Sequence, residues 1–125
     1  MGIKIGTREM KSVTVVDVSG RVTLGEGAGT LRETLRQMAI SGHKKVLLNL
    51  AGVRYLDSSG IGVLVSSFAT ITSVGGQIKL VSLNKRMKDI LSITKLCTVF
   101  ETYDDETTAL GSFVDLPAEA PASQR

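Results

Sequence analysis

Hydrophobic residues recur along the chain in two patterns that alternate with each other. Short runs rich in β-branched residues, at positions 12–18, 45–50 and 77–83, predict strands. A weaker strand is predicted around Ile3 and Ile5. The run at 45–50, KVLLNL, is nearly continuous, which is typical of a central strand covered on both faces. A last strand is expected at Val99 and Phe100.

Between these runs, apolar residues return every three or four positions, which is the spacing of one face of an α-helix. Three helices are predicted in this way, and a fourth is predicted to begin with the acidic residues at 104–106. The order β-β-α-β-α-β-α-β-α favours right-handed crossovers and partly parallel pairing. We therefore expect an α/β domain over residues 1–114, with a mixed sheet of four to five strands and helices mainly on one face. The residues expected in the core are Leu31, Leu35, Val46, Leu48, Leu64, Phe68, Ile90 and Leu91.

The ends of the first helix are marked less clearly than its face. Gly42 follows the helical pattern directly, where glycine commonly ends a helix. The start is left open, because Thr23 with Glu26 and Thr30 with Glu33 both fit a capping box.

Composition narrows the class of protein. The chain has 125 residues, which is enough for one domain with one main core. No apolar run is long enough to span a membrane, and the first residues lack the apolar segment of a signal peptide, so we expect a cytoplasmic protein. The net charge of +3 is too small to indicate a nucleic-acid partner. Residues 115–125, rich in Pro and Ala, predict a disordered tail.

Metal and cofactor chemistry is not predicted. The chain has one cysteine and one histidine, which cannot form a cysteine cage or a histidine cluster. Cys97 lies in an apolar stretch and is expected to be a buried thiol. The serines at 58 and 59 precede the nearby glycines, so they do not form a hydrolase elbow, and GEGAG at 25–29 does not complete a phosphate-binding loop. We therefore expect no enzymatic activity.

The turn DSSG at 57–60 carries the most informative group of polar residues. Because Asp and Ser are preferred at helix N-caps, the simplest interpretation is a cap for the following helix. A hydroxyl at that position also tolerates a phosphate, since free N–H groups and the helix dipole favour an anion. Modification of Ser58 would leave the fold intact and would act on whatever docks there.

The chain resembles the STAS domain of bacterial anti-sigma factor antagonists. The residues that carry the resemblance are VLLNL at 46–50, LDSSGIG at 56–62, GGQIKLVSLN at 75–84 and ITKL at 93–96. The resemblance extends over about 13–110 and implies a STAS-like mixed sheet. It also implies that Ser58, directly after the aspartate, is the phosphoacceptor. The positions that it implies at the partner-binding surface are Asp57, Ser59, Gly60, Thr23, Leu24, Gly25 and Glu26.

The resemblance further implies a partner switch. The unmodified protein would bind an anti-sigma factor that is also a serine kinase, and the sigma factor would be freed. Phosphorylation at Ser58 would release the antagonist, and a PP2C-type phosphatase would restore it. The protein would then be a substrate and a ligand without a cofactor, and no nucleic acid or membrane would be involved.

Two departures and two alternatives qualify this hypothesis. Residues 21–29, RVTLGEGAG, replace a segment that is often acidic and polar in the family, which leaves the identity of the partner open. Lys95 stands where the family usually has glycine, so it must end the third helix without glycine's backbone freedom. The alternatives are a STAS-like structural subunit of a transport or signalling assembly and a nucleotide-sensing binding module.

Overall fold

A computed structural model describes residues 2–113, and over that range the chain forms one sheet and four α-helices. The predicted domain limit at 114 and the predicted tail at 115–125 lie outside the described residues. The elements are β1 (Ile3–Met10), β2 (Val13–Val22), α1 (Ala28–Ile40), β3 (Lys45–Leu56), α2 (Ser58–Ser73), β4 (Gln77–Val81), α3 (Lys85–Ile93), a 3₁₀ turn (Leu96–Thr98), β5 (Thr102–Tyr103) and α4 (Glu106–Gly111).

The five strands lie in the sheet in the order in which they occur along the chain. β1 and β2 form an antiparallel pair, whereas β2, β3, β4 and β5 run parallel. The parallel strands are connected by helices, as their long connections require. The predicted α/β fold with a mixed sheet is confirmed.

The sheet has a hydrophobic core on each face. Helices α1, α2 and α3 contribute to the larger core, and α4 covers the other face with Ala109 and Leu110. Successive residues of β3 alternate between the two cores, with Val46 and Leu48 in the larger one and Leu47 in the smaller one. The central strand is therefore covered on both faces, and the helices lie mainly on one face, as predicted.

Most of the predicted core is buried. Phe68 and Ile90 are exceptions, because each lies at the border of its helix's apolar face and is only half-buried. Phe68 still packs against the larger core and makes an edge-on contact with Phe100, with 5.4 Å between the ring centroids. The predicted core residues that are buried are Leu31, Leu35, Val46, Leu48, Leu64 and Leu91.

Polar contacts fasten the elements on the second face of the sheet. The Arg8 guanidinium on β1 contacts Asp17 on β2 at 2.6 Å and Glu106 on α4 at 2.8 Å. Lys79 on β4 is buried, and its Nζ lies 2.9 Å from a Glu101 carboxylate oxygen. This ammonium group is the largest cause of a lowered pKa for Glu101. The edge strand, the sheet and the last helix are thus joined by charged groups as well as by apolar contact.

Two strand predictions are wrong in their limits. The strand predicted at 45–50 continues through residues 51–56, because β2 extends to Val22 and gives them a pairing partner. The pairing is irregular there, with register shifts that interrupt the β2–β3 ladder. The last strand is Thr102–Tyr103 and not Val99 with Phe100, since the Phe100 side chain enters the core from the preceding turn.

The start of α1 differs from both predicted capping boxes. The N-cap is Gly27, which has φ +115° and makes no side-chain cap. The Thr23 carbonyl instead accepts backbone N–H groups from Glu26 at 2.9 Å and Ala28 at 3.2 Å, which closes a tight turn. A Cβ at Gly27 would lie 2.3 Å from the Arg21 carbonyl oxygen, so only glycine fits. The predicted end of α1 is confirmed, because Gly42 adopts φ +88° directly after the helix C-cap.

The prediction of a buried Cys97 is wrong, because this thiol is exposed. Cys97 belongs to the 3₁₀ turn that follows α3. Leu96, which begins the turn, packs against the core, and Phe100, which follows the turn, is buried. These two residues therefore take the inward positions, and Cys97 points to solvent.

The chain leaves α3 through a left-handed residue that is not glycine. Lys95 has φ +65° and ψ +12°. For a residue with a Cβ this conformation costs roughly 1–2 kcal/mol. Lys95, which stands where the family usually has glycine, therefore introduces local backbone strain.

We expect Leu64→Ala to lower the free energy of unfolding by about 2–5 kcal/mol, because Leu64 is 1% exposed and its loss leaves a cavity. The matched control is Val65→Ala on the same helix. Val65 is 40% exposed, so a change of about 0.5 kcal/mol is expected. Denaturant titration gives both values. Equal effects of the two substitutions would contradict the assignment of the buried face.

We expect Lys95→Gly to raise the free energy of unfolding by about 0.5–1 kcal/mol, since relief of the left-handed strain exceeds the added entropy of the unfolded chain. Lys95→Ala is the control, because it removes the charged side chain but keeps the Cβ. Thermal or denaturant unfolding of both variants separates the two causes. Stabilisation by alanine as large as that by glycine would show that the backbone is not the source.

Candidate functional site

Asp57 is the N-cap of α2, so the simplest interpretation of the DSSG turn is confirmed. Its Oδ1 accepts a hydrogen bond from the backbone N–H of Gly60 at 3.0 Å. Ser58 is the first residue of the helix, directly after the C-terminal end of β3. The aspartate thus serves as the cap, and Ser58 occupies the first helical position.

The second oxygen of Asp57 reaches a different segment of the chain. Oδ2 accepts a hydrogen bond from the backbone N–H of Leu24 at 3.0 Å. The N–H groups of Leu24 and then of Gly60 hold the pKa of Asp57 below its ordinary value, because they stabilise the ionised carboxylate. One carboxylate therefore joins the start of α2 to the segment that precedes α1.

The two serines of the turn occupy different environments. Ser58 is exposed, and its hydroxyl makes no hydrogen bond with any of residues 2–113. Ser59 is half-buried and lines a groove beside the helix. Of the two hydroxyls, that of Ser58 is the more accessible to an approaching molecule.

Gly60 has a packing role. It is buried, and a Cβ at this position would lie 2.3 Å from the Val22 carbonyl oxygen and 2.5 Å from a methyl carbon of Leu56. The first turn of α2 therefore rests directly on the ends of β2 and β3. A residue larger than glycine would not permit so close an approach. This contact fixes where the helix begins and, with it, the position of Ser58.

The segment from Thr23 to Glu26 forms a tight turn beside Asp57. Its tip carries Leu24, whose side chain is 78% exposed although it is apolar. Gly25 follows with φ +80°, a conformation that favours glycine. Glu26 lies 3.6 Å from the guanidinium of Arg21. The turn thus presents the apolar Leu24 side chain to solvent, and the hydrogen bond from the Leu24 N–H to Asp57 fixes its position.

A groove of about 560 Å³ separates this segment from α2. It lies against the N-terminal halves of α1 and α2, and these two helices contact each other. The resemblance implies that residues 23–26 share a surface with the serine turn, and the structure brings these two segments together. The groove is lined by Leu24, Gly25, Gly27, Ala28, Gly29, Thr30, Arg32, Ser59, Gly62 and Ser66.

Sequence reasoning missed Tyr55 as a neighbour of this site. The ends of β2 and β3 place Arg21 opposite Tyr55, and the guanidinium carbon lies 4.2 Å from the centre of the tyrosine ring. The signal was available only through strand pairing. Because β3 was predicted to stop at residue 50, the pairing could not be seen.

Two further properties of the described residues bear on the class of site. Across residues 2–113, no group of three or more His, Cys, Asp or Glu side chains is placed to hold a metal ion. The same part of the chain has no helix that is both long enough and apolar enough to span a membrane.

Comparison with known proteins identifies relatives of this chain. An anti-sigma-B factor antagonist of Bacillus subtilis is 30% identical over 101 residues, which cover 81% of this chain and 91% of the relative. A Thermotoga neapolitana protein, described as a homologue of an anti-sigma factor antagonist, is 42% identical over 69 residues. That match covers 55% of this chain and 61% of the length of the relative.

Solved structures and family models agree with these relatives. The crystal structure of an anti-sigma factor antagonist from Mycobacterium paratuberculosis has a TM-score of 0.81. It covers 91% of this chain and 96% of its own, at 21% identity, so it shows that the fold is shared. The model of the STAS domain family matches residues 4–109. Because this match covers nearly the whole described fold, the chain belongs to the STAS domain family.

Proposed function

We propose that this STAS domain is an anti-sigma factor antagonist controlled by phosphorylation of Ser58. Its unphosphorylated form binds an anti-sigma factor that is also a serine kinase, and this binding frees the sigma factor. The observation that carries the proposal is an exposed Ser58 hydroxyl that has no hydrogen-bond partner in the described part of the chain, beside an aspartate whose two oxygens already accept backbone N–H groups. The name of the Bacillus subtilis relative supports the same class of function.

A phosphate on Ser58 is compatible with the fold. Ser58 is the first residue of a 16-residue helix that has no acidic side chain in its first turn. The free N–H groups and the dipole of such a helix end stabilise an anion. Phosphorylation would therefore change the surface without unfolding the domain.

The same phosphate would oppose binding of a partner. It adds a charge of about −1.5 to −2 directly beside the Asp57 carboxylate, which faces it as a like charge. Leu24, held by Asp57, is the apolar side chain that a partner would cover. A phosphate on Ser58 must lose water when the partner docks, which is unfavourable unless it gains a cation.

The partner-binding surface in this proposal consists of the serine turn and the 23–26 turn. Leu24 supplies the apolar contact, and the groove between α1 and α2 can admit a side chain of the partner. Asp57 and Gly60 act by fixing the geometry, because one holds both segments and the other allows the helix to rest on the sheet. Thr23, Gly25, Glu26 and Ser59 form the remainder of the surface.

The cycle requires two enzymes that act on this chain. The anti-sigma factor would transfer a phosphoryl group from ATP to Ser58, and a PP2C-type phosphatase would remove it in the cytoplasm. This chain would act as substrate and ligand and would catalyse neither step. A purely structural subunit or a nucleotide sensor would not need the exposed hydroxyl of Ser58, so the phosphorylation cycle accounts for more of the site.

We expect incubation with ATP and the anti-sigma kinase encoded in the same genome to add one phosphate, located on Ser58. Ser58→Ala should remain unmodified, because the acceptor oxygen is absent. Ser59→Ala is the matched control and should still be phosphorylated. Intact-mass analysis gives the number of phosphates, and phosphopeptide sequencing gives the position. Phosphate on Ser59 would contradict the assignment.

We expect Ser58→Asp to weaken binding of the anti-sigma factor by two to three orders of magnitude, equivalent to about 3–4 kcal/mol. Thr107→Asp is the control, since it places the same charge in the first turn of α4, on the other face of the sheet. Ser58→Ala should bind like the parent chain. Calorimetric titration measures the affinities, and denaturant titration shows that each variant is folded. Parent-like affinity of Ser58→Asp would refute the switch.

A further inference from the structure

A strip of positively charged side chains lies beside the serine turn. The basic strip is defined here as Arg21, Arg54 and Arg86, together with the uncharged Tyr55 that lines two depressions beside them. Arg54 and Tyr55 line a depression of about 410 Å³ together with Arg21, and they line a second, smaller depression together with Arg86. The strip therefore draws its residues from the end of β2, the end of β3 and the first turn of α3.

Most of the positive charge in the basic strip is not neutralised. Within residues 2–113, Arg54 and Arg86 are exposed and have no carboxylate within ion-pair distance. Arg21 has Glu26 as a partner, at 3.6 Å, with both side chains about half exposed. A partly exposed pair of this kind contributes little and exchanges readily with another anion. Three guanidinium groups that line the two depressions are thus available to other anions.

The residue types of the basic strip suit recognition of carboxylates by a protein. Each guanidinium offers a planar set of donors that matches a carboxylate with two hydrogen bonds. Tyr55 is 45% exposed and supplies apolar area between the charges. Arginine and tyrosine are enriched at protein interfaces, and complementary charge at the rim of an interface accelerates association.

Nucleic acid is less suited to the same surface. One face of the Tyr55 ring is covered by the Arg21 guanidinium at 4.2 Å, so that face cannot stack on a base. The net charge of the chain is only +3. A phosphate backbone is generally held by a longer track of cations with aromatic residues free to stack.

We propose that the basic strip binds a carboxylate-rich segment of the same partner that docks at the serine turn. This inference rests on the proposed function, because it assigns a second contact region to that partner. Tyr55 is two residues from Asp57 in the sequence, and Arg21 lies 3.6 Å from Glu26 of the 23–26 turn, so a partner that covers Leu24 and the serine turn lies close to the strip. The partner would then recognise this chain by one apolar contact and by one charged contact.

The first test does not require the partner. The ¹⁵N-labelled chain is titrated with a short synthetic peptide of alternating Glu and Asp, and the arginine Nε–H resonances are followed by NMR. We expect saturable shifts at Arg21, Arg54 and Arg86 that diminish as NaCl is raised from about 50 to about 300 mM. Equal shifts at all arginines, or tighter binding of a DNA duplex of the same charge, would overturn the proposal.

The second test uses the anti-sigma kinase itself. We expect Arg54→Glu to raise its Kd about tenfold, mainly through slower association. Arg86→Glu should act in the same direction. The matched control is Lys44→Glu, which makes the same charge change at the opposite end of β3 and should alter the Kd less than twofold.

The two proposals fail in different ways. If the partner binds the parent chain and is lost with Ser58→Asp, but Arg54→Glu and Arg86→Glu bind normally, the basic strip is refuted and the switch stands. If the partner does not bind the parent chain at all, the switch is refuted, and the peptide titration alone decides whether the strip receives acidic segments. Arg54 is exposed, so an unchanged unfolding midpoint is expected and shows that its loss of binding is not a loss of folding.

Discussion

The ionised carboxylate of Asp57 is the interaction on which the geometry of this surface depends. It holds the N–H of Gly60 with one oxygen and the N–H of Leu24 with the other, both at 3.0 Å. These two donors are more than thirty positions apart in the sequence. Leu24 lies in the connection between β2 and β3, and Gly60 lies in the connection between β3 and β4. A side chain that only capped its own helix would leave the 23–26 turn without this restraint. In this chain the Asp57 carboxylate is both the cap of α2 and a tertiary contact to the 23–26 turn.

Close packing at the strand ends makes this arrangement possible. Gly60 lets α2 begin directly on Val22 and Leu56, and Gly27 lets α1 begin directly beside Arg21. The N-terminus of each helix is thus in van der Waals contact with the end of a parallel strand. The ends of parallel strands commonly carry functional groups because loops and helix N-termini converge there. In this domain they carry an exposed leucine, the Arg21 and Arg54 side chains and a serine hydroxyl that has no hydrogen-bond partner among residues 2–113.

Patterns that depend on neighbouring residues in the sequence were predicted well, whereas those that depend on distant partners were not. The alternation of β-branched runs and helical faces predicts the element order, and the Asp57 cap follows from residue type and position. The extension of β3 to Leu56 could not be predicted, since it depends on pairing with the end of β2. The glycine cap of α1 was missed for the same reason, because the Arg21 carbonyl that excludes a side chain comes from another element. Cys97 looked buried by composition, but the turn after Lys95 assigns the inward positions to its neighbours.

The contact between Asp57 and residue 24 is made through the backbone of residue 24 and not through its side chain. Any amino acid other than proline provides that N–H group. The position of the tip is therefore independent of what the tip presents. If the proposed function holds, substitutions there would alter recognition without loosening the scaffold. Duplicated copies of such a domain would then diverge in partner choice through one or two exposed residues. A cell that keeps several of these domains would separate its signalling routes by exchanging the tip alone, while every copy retains the same fold and the same serine turn.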